Sequence, residues 1–476
     1  MIFFQQGQPM KNRDSSILIR GGTTVSHREV RRQDILLTGE TVAAAGHLET
    51  ADADTVVEAE GLLVLPGAVD THVHFNDEFM NTVSVHNYYT GTRAAAFGGV
   101  TSVVDFANQG PGTSLRCALA HKKKEAAGMT LVDWGVHPVI TRADRQTLDE
   151  IPLMVKMGAP TIKCYMTYRE EGLMMTEPDL RLILSRLKTA GGMLLVHAED
   201  NEIIENLIPA MVEAGNTLPI FHARSRPLEA ETRAITQVAR LASETGGALF
   251  VVHMSAADGM EIVENARNSG ANIHAETCTH YLVFTEEELE RPDGIKWICS
   301  PPLRTKAVQD RLWQGLHEGR IAMVTSDDAA YSWEAKLYGK DRFDRCPNGI
   351  PGIETRLSIL HSEGVKQDRI DLTRLVDLTS TTPAKLFGLW PKKGNLSPGA
   401  DADIVIFDPG EEWTMGQDTL HMASDWSAYE GIRVKGRVKK VFSRGELIID
   451  GDECLARRGR GRFLHRNLDF SSLAEI

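Results

Sequence analysis

Between residues 62 and 328, apolar runs of strand length alternate with longer stretches of helical periodicity. The strand-like runs are LLVLPGAVDTHVHF, VTSVVDFA, LVDWGVHPVI, APTIKCYM, GMLLVHAED, ALFVVHMS, NIHAETCTHYLVF and IAMVTSDD. Between them lie amphipathic stretches such as TGTRAAAFGG, RLILSRLKTAGG, EAETRAITQVARLASETGG and DGMEIVENARNSG, several closing on Gly where a helix would stop. Such alternation marks βα units on a parallel sheet. Eight units in one run predict an α/β fold, a (β/α)8 barrel of the TIM type. A doubly wound open sheet is the alternative, but no GxGxxG turn follows the first strand to support it.

The two ends of the chain read differently. ILIRGGTTV, DILLTGETVAAAG and DTVVEAEGLLV are short polar and apolar alternations broken by Gly, and DADIVIFDP and RVKGRVKKVFSRGELIIDG repeat that texture near the other end. One small β-sandwich built from both termini is expected, with residues 1–65 as its first part, 66–390 as the barrel, and 391–476 as its second part plus a tail.

Composition narrows the partners. A net charge of -13 argues against nucleic acid or an anionic membrane surface. Apolar runs such as 248–252 fall far short of the roughly 20 residues of a spanning helix. The opening MIFFQQGQPMKNRDSS lacks the charged and apolar regions of a secretory signal. Six scattered cysteines without a CxxC pair read as reduced thiols. Together these predict a cytoplasmic protein.

A barrel builds its site at the C-terminal ends of its strands. His72 and His74 end the first strand, Lys163 lies on the fourth, His197 on the fifth, His253 on the sixth and Asp327 on the eighth. His72 and His74, at i and i+2, face the same way on a strand and could grip one ion. Alone, such a pair is as compatible with a structural role. Four histidines and an aspartate on strand ends together are hard to bury without a purpose. Lys163 has two readings: pairing with Asp327 or another acid, or, with its pKa depressed by burial, addition of carbon dioxide to give an anionic carbamate.

The segments PGAVDTHVHF, TIKCYMTY, LLVHAED, FVVHMS and VTSDD resemble the metal-site motifs of the amidohydrolase superfamily. YYTGTRAAAFGGVTSVVDFA, ICSPPLRTK and PNGIPGIETRLSILHSEGV are similar to its cyclic amidase branch, the dihydropyrimidinases and hydantoinases, with allantoinases as cousins. GNLSPGADADIVIFDP is similar to the return into the small β-domain across the superfamily, so the resemblance spans about residues 16 to 465. It implies a hydrolase that opens a hydantoin or dihydropyrimidine ring to an N-carbamoyl amino acid with a hydroxide bridging two metal ions. It further implies that His72, His74 and Asp327 hold one ion, that His197 and His253 hold the other, and that carboxylated Lys163 bridges them. The ions would be zinc, with manganese, cobalt and nickel as alternatives. Asp327 would shuttle the proton, and Tyr168 would donate a hydrogen bond to the developing oxyanion, against the plainer reading of an aromatic on the barrel rim. The backbone at Ser300 and Asn348 would grip the substrate. Relatives are homotetramers or dimers, with contacts from the helices after the barrel and the C-terminal tail. Two rival functions remain: an allantoinase, and a non-catalytic scaffold like the collapsin response mediator proteins, which have lost metal ligands.

The resemblance breaks in two places. Asp328 follows Asp327 where many relatives carry histidine, and is expected to be solvated. Phe75-Asn76-Asp77-Glu78 looks partly like allantoinase, while the stretch after it looks like a hydantoinase. His86, His121, His137, His222, His280 and His361 are expected to be ordinary hydrogen-bonded residues, with His222 ordering a loop. The run Lys122 to Lys124 is expected to be the solvated face of a helix.

Overall fold

The computed structural model describes residues 15–48 and 51–471; the secretory-signal reading concerns residues that lie almost wholly outside these. Eight parallel strands stand side by side in sequence order: β1 (Ala68–Val73), β2 (Val100–Asn108), β3 (Asp133–Val139), β4 (Thr161–Tyr165), β5 (Met193–His197), β6 (Ala248–Val251), β7 (Ile273–Cys278) and β8 (Met323–Thr325). The sheet closes where the His74 amide donates to the Asp328 carbonyl at 2.9 Å, beside a parallel bridge between Val73 and Asp328. Nearly every residue of these strands is buried, as expected for strands covered on both faces.

Two strand expectations need correction. The run 62–75 is two strands, Leu63–Pro66 and β1, parted at Gly67. A Cβ at Gly67 would come within 2.2 Å of Thr101 Oγ1, so only glycine lets the chain cross from one sheet to the other there. The run 272–284 is strand only to Cys278 and then turns into a short helix, Thr279–Val283.

The strand-rich ends form two sheets. One has four strands, in the order Thr41–Gly46, Asp34–Thr38, Ser16–Arg20 and Thr55–Glu58. In the other, Ile404–Thr414 pairs antiparallel with Leu63–Pro66, which joins the two ends of the chain. Ile19, Ile35, Leu37 and Val42 from one sheet pack with Val64, Ile404, Ile406 and Phe442 from the other as a shared apolar core, the arrangement of a sandwich.

The final segment returns to the barrel. The Trp134 amide donates to the Arg462 carbonyl and the Leu464 amide to the Trp134 carbonyl, while fully buried Arg466 donates to the Val136 carbonyl at 2.6 Å. At the N-terminal end of β3, Asp133 meets Lys393 and Arg444, a buried charge cluster between barrel and sandwich.

Candidate metal centre

His72 lies on β1 and His74 just beyond it, Lys163 in mid-β4, and His197 ends β5. His253 and Asp327 sit two residues past β6 and β8. Both have left-handed backbones, φ 40° and 48°, as does Tyr168 at 66°. Non-glycine residues avoid that region at a cost of about 1 kcal/mol or more, and such strain collects where a side chain has to be aimed. All seven side chains, with Ser300 and Asn348, line one cleft of about 500 Å3.

Asp327 Oδ1 is 3.1 Å from His72 Nε2 and 3.4 Å from His74 Nε2. The His72 and His253 rings are 5.3 Å apart, and His253 and His197 4.5 Å, so the four imidazoles run as an arc across the barrel mouth. Tyr168 stands 5.3 Å from His197, and its hydroxyl accepts a 3.4 Å bond from Asn348 Nδ2. Ser300 Oγ lies 3.3 Å from His222 Nε2, which also bonds the Cys299 carbonyl at 2.8 Å, so His222 does order a loop.

Lys163 is 1% exposed, and its side chain forms no hydrogen bond or ion pair with any described residue. Its Nζ lies 5.1 Å from the Phe106 ring centroid and 4.9 Å from that of Tyr165. Burial pushes its pKa down to about 8, against the pull of Asp327 and Glu276. Among the described residues no acid is close enough to Nζ to form the ion pair that the sequence left open.

Three carboxylates that sequence reasoning did not assign to the site aim the histidines. His72 Nδ1 lies 2.5 Å from Glu276 Oε1, His74 Nδ1 2.7 Å from Asp77 Oδ2, and His197 Nε2 2.6 Å from Glu199 Oε2. Each takes one ring nitrogen and leaves the other for the cleft, as carboxylates behind metal-binding histidines do. Burial holds His72 and His253 well below the usual imidazole pKa. Burial acts on His74 in the same sense, but Asp327 and Asp77 overcome it and raise its pKa to about 9.

The donor set fits a cation. Among the described residues, buried His253 Nδ1 has no hydrogen-bond partner and buried His72 Nε2 lies beside Asp327 Oδ1 without a hydrogen bond, and one nitrogen each of His72 and His74 and one Asp327 oxygen lie within 4.8 Å of one another. Unpaired buried nitrogens of this kind are rare unless something outside the chain pairs them.

Two expectations are corrected. Asp328 is fully buried rather than solvated: Oδ2 bonds His86 Nδ1 at 2.6 Å, and Oδ1 accepts from the Gly352 and Ile353 amides at 2.8 and 3.2 Å. While Asp327 faces the cleft, its neighbour points into the packed layer behind, where a charge needs partners. Lys122 is buried on the inner face of the helix Leu115–Ala126 with Leu115, Ala118, Leu119 and Ala126, and its Nζ is 3.2 Å from Asp105 Oδ2. The helical phase, not the run of like charges, fixes its side.

No helix of the described residues is long and apolar enough to cross a membrane. Comparison with known proteins agrees with the geometry. The sequence pattern of the Amidohydrolase family matches residues 63–448. The D-phenylhydantoinase of Escherichia coli O1:K1 / APEC is 39% identical over 454 residues, 94% of this chain and 98% of that one. The crystal structure of dihydropyrimidinase from Brevibacillus agri NCHU1002 superposes with a TM-score of 0.93 at 39% identity, over 95% of this chain and 99% of its own. The L-hydantoinase (dihydropyrimidinase) from Arthrobacter aurescens superposes at 0.89 and 30% identity, over 95% and 100%. The chain belongs to the amidohydrolase family.

Proposed function

We propose that this protein opens a cyclic amide ring, of the hydantoin or dihydropyrimidine kind, by adding water across a ring C–N bond to give an N-carbamoyl amino acid. The observation that carries the proposal is Lys163: a buried amine with no acid partner, in a cleft whose histidines offer unpaired nitrogens. The similarity to D-phenylhydantoinase and dihydropyrimidinase supports the substrate class. His72, His74 and Asp327 would hold one divalent cation and His197 and His253 a second, zinc suiting these N and O donors. Lys163 would bridge the two as a carbamate: its neutral amine adds to carbon dioxide, an N–C bond forms, and one proton is released. When bound, the cation pair supplies the acidity that yields hydroxide near neutral pH and the polarisation of the ring carbonyl.

The chain's own groups do the rest. Asp327 takes a proton at its carboxylate from the attacking water and returns it to the ring nitrogen as the C–N bond breaks. The Tyr168 hydroxyl donates to the carbonyl oxygen as charge builds on it. The main chain at Ser300 and Asn348 holds the ring. Within Phe75-Asn76-Asp77-Glu78, the stretch that looks partly like allantoinase, Asp77 bonds His74; allantoinase is the alternative reading. A homo-oligomer, dimer or tetramer, in the cytoplasm completes the reading; the six cysteines are all unpaired thiols, which suits a reducing compartment.

The test is metal content by elemental analysis, with hydrolysis of dihydrouracil, hydantoin and allantoin side by side. About two ions per chain and chelator-sensitive opening of the first two rings are expected. No metal and no turnover, even after adding metal and bicarbonate, would overturn the proposal and favour a scaffold.

A further inference from the structure

Two backbone segments meet in the cleft wall, one carrying Ser300 and the other Asn348 and Gly349, and a single side chain holds both from behind. Lys336 is fully buried, and its Nζ donates to the carbonyl oxygens of Ile298 at 3.0 Å, Pro347 at 2.9 Å and Gly349 at 3.1 Å. Three carbonyls account for its three protons. No carboxylate pairs with it among the described residues. The Gly349 amide adds a 2.9 Å bond to the Ile298 carbonyl. From the other side, a Cβ on Gly349 would come within 2.4 Å of the Ala329 carbonyl oxygen, so the segment is pressed between Lys336 and the loop after β8.

This clamp decides what Asn348 shows to the cleft. The peptide bonds on either side of it are trans, so in each the C=O and N–H point opposite ways. The Pro347 carbonyl is turned to Lys336, which turns the Asn348 N–H away from it. The Gly349 N–H is turned to the Ile298 carbonyl beside Lys336, which turns the Asn348 C=O away as well. Asn348 therefore presents its own donor and its own acceptor on the side remote from the lysine. No other described residue bonds either group, although inward-facing backbone groups are almost always paired.

We propose that Lys336 is a positioning residue for the substrate, holding the Asn348 main-chain donor and acceptor so that they read one H–N–C=O edge of the ring. The inference rests on the ring-opening reading above. In that reading the departing nitrogen faces Asp327. The edge left for Asn348 is then the one remote from the scissile bond, which in hydantoin is N1–H and the C2 carbonyl. The ammonium on the Pro347 oxygen also polarises that peptide and strengthens the Asn348 N–H as a donor.

The test compares hydantoin with 1-methylhydantoin, whose methyl group blocks that edge and leaves the scissile bond untouched, on metal-loaded wild-type protein and on Lys336→Met. Wild type is expected to prefer hydantoin by about tenfold or more in kcat/KM, carried by KM. In Lys336→Met, metal content and kcat should stay within about threefold of wild type, KM for hydantoin should rise about tenfold, and the preference should collapse. Lys336→Gln, which keeps two donors, should fall between them and serves if the methionine variant does not fold. Wild type turning over both rings equally would overturn the proposal, as would a variant that keeps KM and preference. So would a variant that loses metal and kcat while the preference survives, since that marks a merely structural lysine. If wild type opens neither ring, the ring-opening reading has failed and this one with it.

Discussion

Lys163 and Lys393 are buried to nearly the same degree, at 1% and 2% exposed, and stand toward opposite ends of one barrel. Lys393 meets Asp133, Asp401 and Asp403 at 2.7, 3.0 and 2.8 Å, and although burial alone would lower its pKa, these carboxylates raise it. Lys163 meets two aromatic rings and no acid, and burial drags its pKa down. The Lys393 cluster is thus complete in itself, its charges answered by the chain. The C-terminal end leaves the Lys163 amine and imidazole nitrogens unanswered among the described residues, which is what the proposed cation pair would require. A barrel keeps stability at one end and chemistry at the other, and here the partners of a single residue type mark which end is which.

The comparison breaks first at Lys163. Lys163→Ala should lower hydrolysis on the order of 10³-fold or more and remove bound metal, while the stability of the metal-free protein to urea holds or rises, because a buried amine without an acid partner has gone. Adding a short carboxylic acid, which can enter the vacated space as a bridging oxygen ligand, should restore part of both. Full metal content and activity in the variant would show that the amine is not part of the centre.

Lys393→Met should do the reverse. Asp401 and Asp403 lose their counter-ion and Asp133 keeps only Arg444, so the protein should be less stable to urea by about 3–5 kcal/mol, with metal content and kcat of the folded fraction unchanged. The same cluster sets a pH window. The Asp133 pKa is lowered: burial opposes this, and Lys393 and Arg444 outweigh it. Its contribution is therefore present above the unfolded carboxylate value and lost as pH falls through the folded one. The raised pKa of Lys393 works at the other edge, its contribution being full below the unfolded lysine value and lost as pH rises through the folded one. Burial raises Asp401, which acts in the opposite sense to Asp133 and makes the acid edge shallow. Thermal melts against pH should show both edges in wild type, with the alkaline edge lost and the acid edge weakened in the variant, where Arg444 still faces Asp133. An alkaline edge that survives in Lys393→Met would assign it to other groups.

How much of this was legible before folding depends on sequence distance. The eight strand-like runs and their Gly-ended helices carry the barrel in local periodicity, and the period of two sets His72 beside His74. The same period could have found Glu199, two residues after His197 on the same strand face, and the helical phase could have found buried Lys122. Glu276 had no such signal: it aims His72 from 204 residues away, a contact that only closure of the barrel creates. The joining of Leu63–Pro66 to Ile404–Thr414 was equally hidden, because alternation tells that strands exist and not which ones pair. Asp328 was misread because its surroundings, His86 and the Gly352 and Ile353 amides, come from two other segments.

The smallest effect is expected at Asp77. Asp77→Asn keeps the shape of the side chain and removes one charge, the one that bonds His74 Nδ1 at 2.7 Å. Carboxylates placed so behind a ligand histidine raise its basicity and fix its tautomer, and losing one costs about 10–100-fold in metal affinity or activity. Titrating metal into chelator-stripped protein should therefore give a Kd raised by that factor, with activity partly recovered at saturating metal and a thermal midpoint of the metal-free protein close to wild type. The midpoint is the telling part. At the Lys393 end a lost charge costs stability, because Lys393 is spent on three carboxylates of the chain. At the His74 end, on the proposed reading, the charge serves chiefly a partner from outside, so its loss should be felt most when that partner binds. An unchanged metal Kd, or a metal-free protein that melts far below wild type, would place Asp77 among the structural acids and erase the distinction.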